Sequence, residues 1–301
     1  MISLEAILCP VDVSDVSRGA LGYAIALATQ YSARLRVLEV VSHPSLPAAL
    51  APSAVAGLTV EMRRTLAEEL EKFVQPALAA SVPTDVRLEE GYVVAEILEG
   101  ARSFAADLIV MGTHGRSGFD RLVLGSVTEK VLRKADCPVL TVPPLSRHAA
   151  DKPIRFRCIL CAVDFSEPST KAVEYAVSFA THAGARLVLT NILDWPVTDA
   201  GPASAWAAKL DTFRREWEVR AAEELRKAVP AETRRGSQVE EIVAVGRPSR
   251  EILRVAAEVG ADLIVMGEHG RGALERAMLG STAHYVVRHA TSPVLTVRVR
   301  T

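Results

Sequence analysis

The sequence predicts two consecutive α/β domains, each built on a doubly wound parallel sheet. Apolar strand-like runs alternate with helical patterns along the chain, which indicates parallel strands joined by right-handed crossovers, with helices on both faces. The pattern occurs twice, since the motifs of the first half return in order in the second. The 301 residues are 49% hydrophobic, enough for a core in each half.

The first strand of each half is apolar and ends in Asp-x-Ser, over residues 6–14 and 158–166. Helical spacing of small apolar residues follows, and then a second strand at 34–41 and 186–193. Asp12 and Asp164 are either ligand-binding acids or N-caps of the following helix. Their repetition alongside the glycine motif described below favours ligand binding.

The middle of each half combines an irregular stretch with a long helix. Residues 42–57 and 194–204 are rich in Pro, Ala and Ser, and helical patterns follow at 58–80 and 205–229. Trp206 and Trp217 in the second of these helices are interpreted as packing anchors rather than as a binding cage. The third strands end at Gly91 and Gly246, before helices near 93–105 and 248–259.

A glycine motif follows the fourth strand. Gly112 and Gly115 come directly after an apolar run, and Gly125-Ser126 follows nine residues later. Ser126 precedes Glu129 by three residues, which predicts a capping-box helix start. The second half repeats the motif as Gly267, Gly270, Gly280 and Ser281, and a last strand follows at 138–142 and 293–297.

The glycine motif is a strand, a loop and a helix N-terminus, the arrangement that presents backbone N–H groups to a phosphate. Glycines after a strand are often mere turn formers, but the repeated spacing favours phosphate binding. In open parallel sheets the ligand lies beyond the carboxyl ends of the strands, where the strand order reverses. Arg116 and Arg271 in the two loops either steer phosphates or are solvated charges.

Composition excludes several other classes of function. The 35 basic residues nearly balance the 36 acidic ones, so neither nucleic acid nor a membrane surface is an expected partner. We recognise no signal peptide and no apolar run long enough to span a bilayer. The four cysteines fall mostly in strand-like runs and suit buried thiols in a reducing compartment, so we expect a cytoplasmic protein.

No metal site is expected. His114 and His269 have no second histidine or cysteine at metal-ligand spacing. Cys158 and Cys161 have the CxxC spacing, but within a strand their thiols point to opposite faces. Magnesium is expected only through the phosphates of a bound nucleotide.

Taken together, these motifs resemble the ATP-binding type of the universal stress protein family over essentially the whole chain. The resemblance is carried by Asp-Leu-Ile-Val-Met-Gly-x-His-Gly-Arg, then Leu-Gly-Ser, then Pro-Val-Leu-Thr-Val, in both halves. It implies Rossmann-like five-stranded sheets of order 3-2-1-4-5. The domains are expected at 1–145 and 155–301, with a linker at 146–154, packed as an intramolecular pseudo-dimer through strands 138–142 and 293–297. A further homodimer is left open.

The resemblance also implies site residues. The strand-one acid contacts the adenosine portion of the nucleotide, a strand-two apolar residue contacts the adenine, and the glycines and serines hold the phosphates. In the first domain the implied residues are Asp12, Val40, Gly112, Gly115, Gly125 and Ser126. In the second they are Asp164, Ile192, Gly267, Gly270, Gly280 and Ser281. The implied ligand is ATP, AMP or ADP.

Three functions stay open at this point: a regulatory nucleotide-binding stress protein, a slow ATPase or autophosphorylating protein, and a nucleotide-independent scaffold. No P-loop motif occurs, and no catalytic lysine or nucleophile elbow accompanies the glycine motifs, so no catalytic residue is assigned. The binding module is therefore preferred over a fast enzyme. Glu268 replaces Thr113 in the second loop, and a carboxylate beside phosphates predicts that the first domain binds nucleotide more tightly.

Overall fold

A computed structural model describes residues 2–42, 58–114, 124–144, 154–195, 205–236, 238–270 and 279–299, with only the backbone described at 205–210 and 235–236. The chain divides into two compact units, one formed mainly by Ser3–Ile154 and the other mainly by Arg155–Val299. We call them domain 1 and domain 2. The predicted residues Gly115, Arg116 and Arg271, and most of the irregular stretches, lie outside the described residues.

Each domain contains a five-stranded sheet in which the described strand pairs are parallel. The strands of domain 1 are β1 (Ala6–Val11), β2 (Arg34–Val41), β3 (Thr84–Glu90), β4 (Leu108–Gly112) and β5 (Val139–Val142). Those of domain 2 are β6 (Cys158–Ala162), β7 (Arg186–Leu193), β8 (Val239–Val245), β9 (Leu263–Gly267) and β10 (Val294–Val297). The strand orders are β3-β2-β1-β4-β5 and β8-β7-β6-β9-β10. The predicted fold class and strand order are confirmed.

Helices connect successive strands in both domains. Those of domain 1 are α1 (Asp15–Tyr31), α2 (Val60–Phe73), α3 (Gln75–Ala79), α4 (Val93–Ser103) and α5 (Ser126–Lys134). Those of domain 2 are α6 (Glu167–Ala183), α7 (Ala205–Ala228), α8 (Ala231–Gly236), α9 (Pro248–Val259) and α10 (Ser281–His289). The order reverses between β1 and β4 and between β6 and β9, so the crevice of a doubly wound sheet lies at these strand ends.

The central strands are buried along their length, as strands covered on both faces require. All six residues of β1 and all five of β6 are buried. Helix α1 packs on β1 and β4 with the small residues Ala20, Ala24 and Ala28 fully buried. Small side chains on this face let the helix axis approach the sheet closely.

Two details differ from the sequence-based expectation. The helix predicted at 58–80 is two helices, because Pro76 in the first turn of α3 has no backbone N–H to continue the hydrogen bonding of α2. Trp217 is 51% exposed, so its interpretation as a packing anchor is wrong. Ala221 and Leu225 provide the buried contacts of α7 instead, and the side chain of Trp206 lies outside the described residues.

The four cysteines are buried, and none of them forms a disulfide bond. Complete burial raises the pKa of the Cys9 and Cys161 thiols well above the ordinary value, because a thiolate there would be desolvated. The CxxC pair lies on β6 as expected, and Cys158 accepts a hydrogen bond from Arg186 Nη2 at 3.4 Å. Thiol chemistry at neutral pH is therefore disfavoured.

The described residues contain neither a membrane-spanning helix nor a metal-binding cluster. None of the helices in these residues combines the length and the apolar character needed to cross a bilayer. The same residues contain no cluster of three or more His, Cys, Asp or Glu side chains placed to hold a metal ion.

Gly267 allows a close helix–strand contact that can be tested. A Cβ atom there would lie 3.0 Å from the carbonyl carbon of Pro168 and 3.0 Å from the backbone nitrogen of Ser169. Gly267→Ala should therefore lower the free energy of unfolding of domain 2 by about 1–3 kcal/mol, measured by urea denaturation.

Gly19→Ala is the matched control. Gly19 lies in the interior of α1, and the atom nearest to an added Cβ there would be 4.0 Å away. This substitution should stabilise domain 1 by about 0.5–1 kcal/mol through helix propensity. A Gly267→Ala protein as stable as the parent would contradict the close-packing role.

Candidate functional site

A cavity of about 630 Å³ lies at the carboxyl ends of the central strands of domain 2. This volume is within the range of small-molecule sites, roughly 300–1,000 Å³. The residues that line it come from the ends of β6, β7 and β9, from the start of α9, and from the segment that enters α10. The cavity thus occupies the crevice that the strand order predicts.

The strand-one acid is held by the turn that follows it. Asp164 Oδ1 accepts hydrogen bonds from Ser166 N at 3.1 Å and from Ser166 Oγ at 2.5 Å. Ser166, not Asp164, is the N-cap of α6, and its side chain accepts from Ser169 N. The alternative that Asp164 is only an N-cap is therefore wrong. The carboxylate is fixed at the cavity wall.

Domain 1 contains the same turn. Asp12 Oδ1 accepts from Ser14 N at 3.2 Å, from Ser14 Oγ at 2.5 Å and from Ser17 Oγ, while Ser14 is the N-cap of α1. The residue after each acid has left-handed backbone geometry, with φ of 59° at Val13 and 62° at Phe165. Branched and aromatic residues rarely adopt this conformation, and strain of this kind concentrates at functional sites.

The glycine motif closes on the acid. A Cβ at Gly270 would collide with Asp164 Oδ2, so a side chain at this position would displace the Asp164 carboxylate. The pairing of β6 with β9 brings the two segments together. Domain 1 has the same strand pairing, between β1 and β4, and there a Cβ at Gly112 would lie 2.7 Å from Val16 Cγ1.

The helix that follows the glycine motif begins without a side-chain cap. Gly125 and Gly280 are the N-caps of α5 and α10, and neither helix start has a capping hydrogen bond. The predicted capping box from Ser126 to Glu129 is therefore wrong, because the helix starts one residue earlier than that motif requires. The uncapped first-turn N–H groups are available to an anion.

The N–H groups of the two glycines are already used within the loop. Gly125 N donates to Thr113 O at 2.9 Å, and Gly280 N donates to Glu268 O at 2.8 Å. These bonds hold the two ends of each loop together. The donors left available at these helix starts are therefore those of Ser126, Ser281 and the residues after them, rather than those of the glycines.

Glu268 does not face the cavity. It is 3% exposed, and its Oε2 accepts from Arg298 Nε and Nη2, each at 2.5 Å. The expectation that Glu268 places an uncompensated charge beside the phosphates therefore lacks its premise, since Arg298 neutralises the carboxylate. The neighbouring His269 lines the cavity, with Nδ1 3.3 Å from Glu268 Oε1.

The predicted residues of domain 2 that are described lie together: Asp164, Ile192, Gly267, Gly270, Gly280 and Ser281 all line the cavity. In domain 1, Asp12, Val40, Gly112, Gly125 and Ser126 occupy the corresponding positions at the carboxyl ends of β1, β2 and β4 and at the start of α5.

Sequence reasoning missed part of the cavity wall in domain 2. Thr190 lies two residues before Ile192 on β7, and strand alternation could have identified it. Pro248 and Ile252 reach the cavity from the first turns of α9, and no sequence pattern pointed to them. His269 was weighed only as a metal ligand.

The cavity combines one carboxylate, one imidazole and an apolar wall with the N-termini of α9 and α10, whose dipoles favour negative charge. This chemistry suits a ligand with a hydroxyl-bearing, partly apolar body and an anionic end. Fold and site together define a tandem Rossmann-like α/β protein in which a cavity lies at the carboxyl ends of the central strands of domain 2.

The chain belongs to the Universal stress protein family, whose sequence pattern matches residues 4–143 and 155–298. A universal stress protein of Mycolicibacterium smegmatis is 29% identical over 98% of this chain and 97% of its own length. The universal stress protein MJ0531 of Methanocaldococcus jannaschii is 38% identical over 46% of this chain and 81% of its own length.

A solved structure has the same tandem architecture. The crystal structure of a universal stress protein from Archaeoglobus fulgidus matches 98% of this chain and 97% of its own, with a TM-score of 0.68 and 25% identity.

The Glu268–Arg298 pair gives a testable stability effect. Arg298→Met would leave a buried carboxylate without its cation, and the free energy of unfolding should fall by about 3 kcal/mol. Glu268→Gln should cost less, about 1 kcal/mol, because the Arg298 side chain is 19% exposed and can reach water.

The double variant Glu268→Gln with Arg298→Met should recover part of the loss, with a coupling of about 1–3 kcal/mol in a double-mutant cycle measured by chemical denaturation. Additive losses would show that the two side chains do not stabilise each other.

Proposed function

We propose that this protein binds an adenine nucleotide, ATP in the first instance, in the crevice of each domain. The observation that carries the proposal is the cavity of domain 2, where Asp164, the close approach of Gly270 and the uncapped start of α10 meet. A carboxylate accepts hydrogen bonds from ribose hydroxyls, and helix N-termini bind phosphates. Ile192 and Ile252 provide apolar surface for a base.

The proposed role is regulatory binding in a stress response rather than fast catalysis. The ionisable residues among the described cavity-lining residues are Asp164 and His269. Asp164 Oδ1 already accepts two hydrogen bonds from Ser166, which suits a ligand contact better than a proton acceptor. Hydrolysis of ATP should be far slower than the roughly 1–1,000 per second of typical enzymes. Magnesium would enter with the phosphates, and the buried thiols fit a cytoplasmic protein.

The first test identifies any nucleotide that co-purifies with the protein. Protein purified without added ligand should release an adenine nucleotide on heating, identified by mass spectrometry. Added ATP should raise the thermal midpoint of the nucleotide-free protein, by mass action on the folded state. Release of no nucleotide, together with no thermal shift and no calorimetric binding, would instead support a nucleotide-independent scaffold.

The second test uses the strand-one acids. Asp164→Ala and Asp12→Ala should each remove tight binding from one domain, lowering the calorimetric stoichiometry toward half, because a charge-assisted hydrogen bond is worth about 1.5–3 kcal/mol. Glu174→Ala is a matched control, since this carboxylate is on the exposed face of α6 and pairs with Lys171. Unchanged binding in both aspartate variants would refute the assignment of these acids. Rapid ATP turnover that Asp12→Ala abolishes would favour an enzyme.

A further inference from the structure

A buried hydroxyl in the cavity wall of domain 2 lacks a hydrogen-bond partner in the described part of the chain. Thr190 is 1% exposed and lines the cavity from β7. Among the described residues, nothing is within hydrogen-bond distance of its Oγ1 atom. Buried hydroxyls in folded proteins are nearly always paired, because an unpaired one has lost its bonds to water. An unpaired polar atom in a cavity wall points to a ligand that supplies the missing hydrogen bond.

The position of Thr190 on β7 decides which part of a nucleotide it can meet. Thr190 and Ile192 lie on one face of the strand, and both line the cavity. Thr190 is about 6–7 Å further from the carboxyl end of the strand, so it lies deeper in the crevice than Ile192. Asn191 between them points to the opposite face, where its Nδ2 donates to Val163 O at 2.7 Å. Thr190 is therefore at the inner end of the apolar wall.

The corresponding position of domain 1 has no hydroxyl. Thr190 pairs with Ala162 of β6, and in the same register Leu38 pairs with Pro10 of β1. Leu38 is 2% exposed, and its Cδ2 would be 2.9 Å from a Cβ added at Gly100 of α4, so this side chain fills the space beneath the helix. The two crevices thus have the same strand frame, but the inner end of the wall is polar in domain 2 and apolar in domain 1.

We infer that Thr190 recognises the base of the nucleotide in domain 2, through a hydrogen bond between its Oγ1 and the 6-substituent of the purine. The inference rests on the proposed nucleotide function and adds a selectivity that domain 1 lacks. With the ribose at Asp164 and the phosphates at the start of α10, the base lies against Ile192 and Ile252. The edge of a purine farthest from its ribose carries N1 and the 6-substituent, and this edge faces the inner end of the wall.

Thr190 acts as a specificity-determining residue. Its hydroxyl accepts a hydrogen bond from the 6-amino group of adenine, or donates one to a 6-oxo group. A purine that has only hydrogen at this position leaves Oγ1 buried and unpaired in the complex. Sites built to bond a polar group of the ligand discriminate against analogues that lack the group, for this reason.

The experiment compares ATP with purine riboside triphosphate, which has hydrogen in place of the 6-amino group, by calorimetry on the full chain. All proteins carry Asp12→Ala to remove tight binding from domain 1, and the stoichiometry reports how many sites remain. Thr190→Val, which replaces the hydroxyl by a methyl group of similar size, should weaken ATP binding about three- to tenfold, the effect of one hydrogen bond between uncharged groups. It should not weaken the binding of purine riboside triphosphate. If two sites remain, one of them should change.

Thr296→Val is the matched control. Thr296 on β10 is 4% exposed, and its Oγ1 also has no partner among the described residues, but it is not one of the described residues that line the cavity. This substitution should leave the binding of both nucleotides unchanged. In the nucleotide-free protein neither substitution should lower the urea midpoint of unfolding, because each replaces an unpaired buried hydroxyl by a methyl group. A markedly lower midpoint for Thr190→Val would show that the hydroxyl stabilises the fold and would overturn the inference.

The outcomes also separate the inference from the proposed function. An equal loss of ATP and purine riboside triphosphate binding in Thr190→Val would show an effect on the shape of the cavity and overturn the inference. If Thr190→Val leaves the affinity ratio of the two nucleotides unchanged, the inference fails and the nucleotide function stands. If neither nucleotide binds the Asp12→Ala protein, nucleotide binding by domain 2 fails, and the inference fails with it.

Discussion

The crevices depend on one steric constraint, the close approach of the chain after the fourth strand of each sheet to the helix that follows the first. In domain 2 the start of α6 lies against Gly267, so that a side chain there would push the two segments apart, and the Asp164 carboxylate lies against Gly270, where a side chain would displace the carboxylate. The Asp-x-Ser turn beside this contact holds Phe165 in left-handed backbone geometry, with φ of 62°, which an aromatic residue rarely adopts. The cavity is the space left beside this junction.

The sequence predicted the fold from features that act over short distances. The apolar run of β1 and the helical spacing of α1 encode their structures locally, and the duplication doubled the evidence for each element. The family resemblance then provided the strand order. One wrong prediction of an element had a competing signal in the sequence, and another had none. Pro76 divides a helix that periodicity alone would continue, and Trp217 is exposed although aromatic residues on helices are usually packed.

The site was predictable in part. Asp164 and the glycines could be placed because they end strands or follow them, and the topology brings strand ends together, whereas Ile192 was implied by the family resemblance. The contribution of α9 could not be predicted, since it depends on how the helix lies over the sheet. The pairing of Glu268 with Arg298 also depends on the tertiary structure. Arg298 is 30 residues away and becomes a neighbour only because β9 pairs with β10. A carboxylate that looked unfavourable for phosphates in the sequence is neutralised in the structure.

The backbone hydrogen bond between Gly280 N and Glu268 O, and its equivalent between Gly125 N and Thr113 O, has a consequence for how such proteins diverge. It fixes the entrance and the exit of the loop independently of the residues between them. After a gene duplication, substitutions inside one loop can therefore accumulate without displacing the helix that follows or the sheet beneath. Two duplicated domains that first bind the same ligand can therefore come to respond to different cellular signals while they keep the same fold.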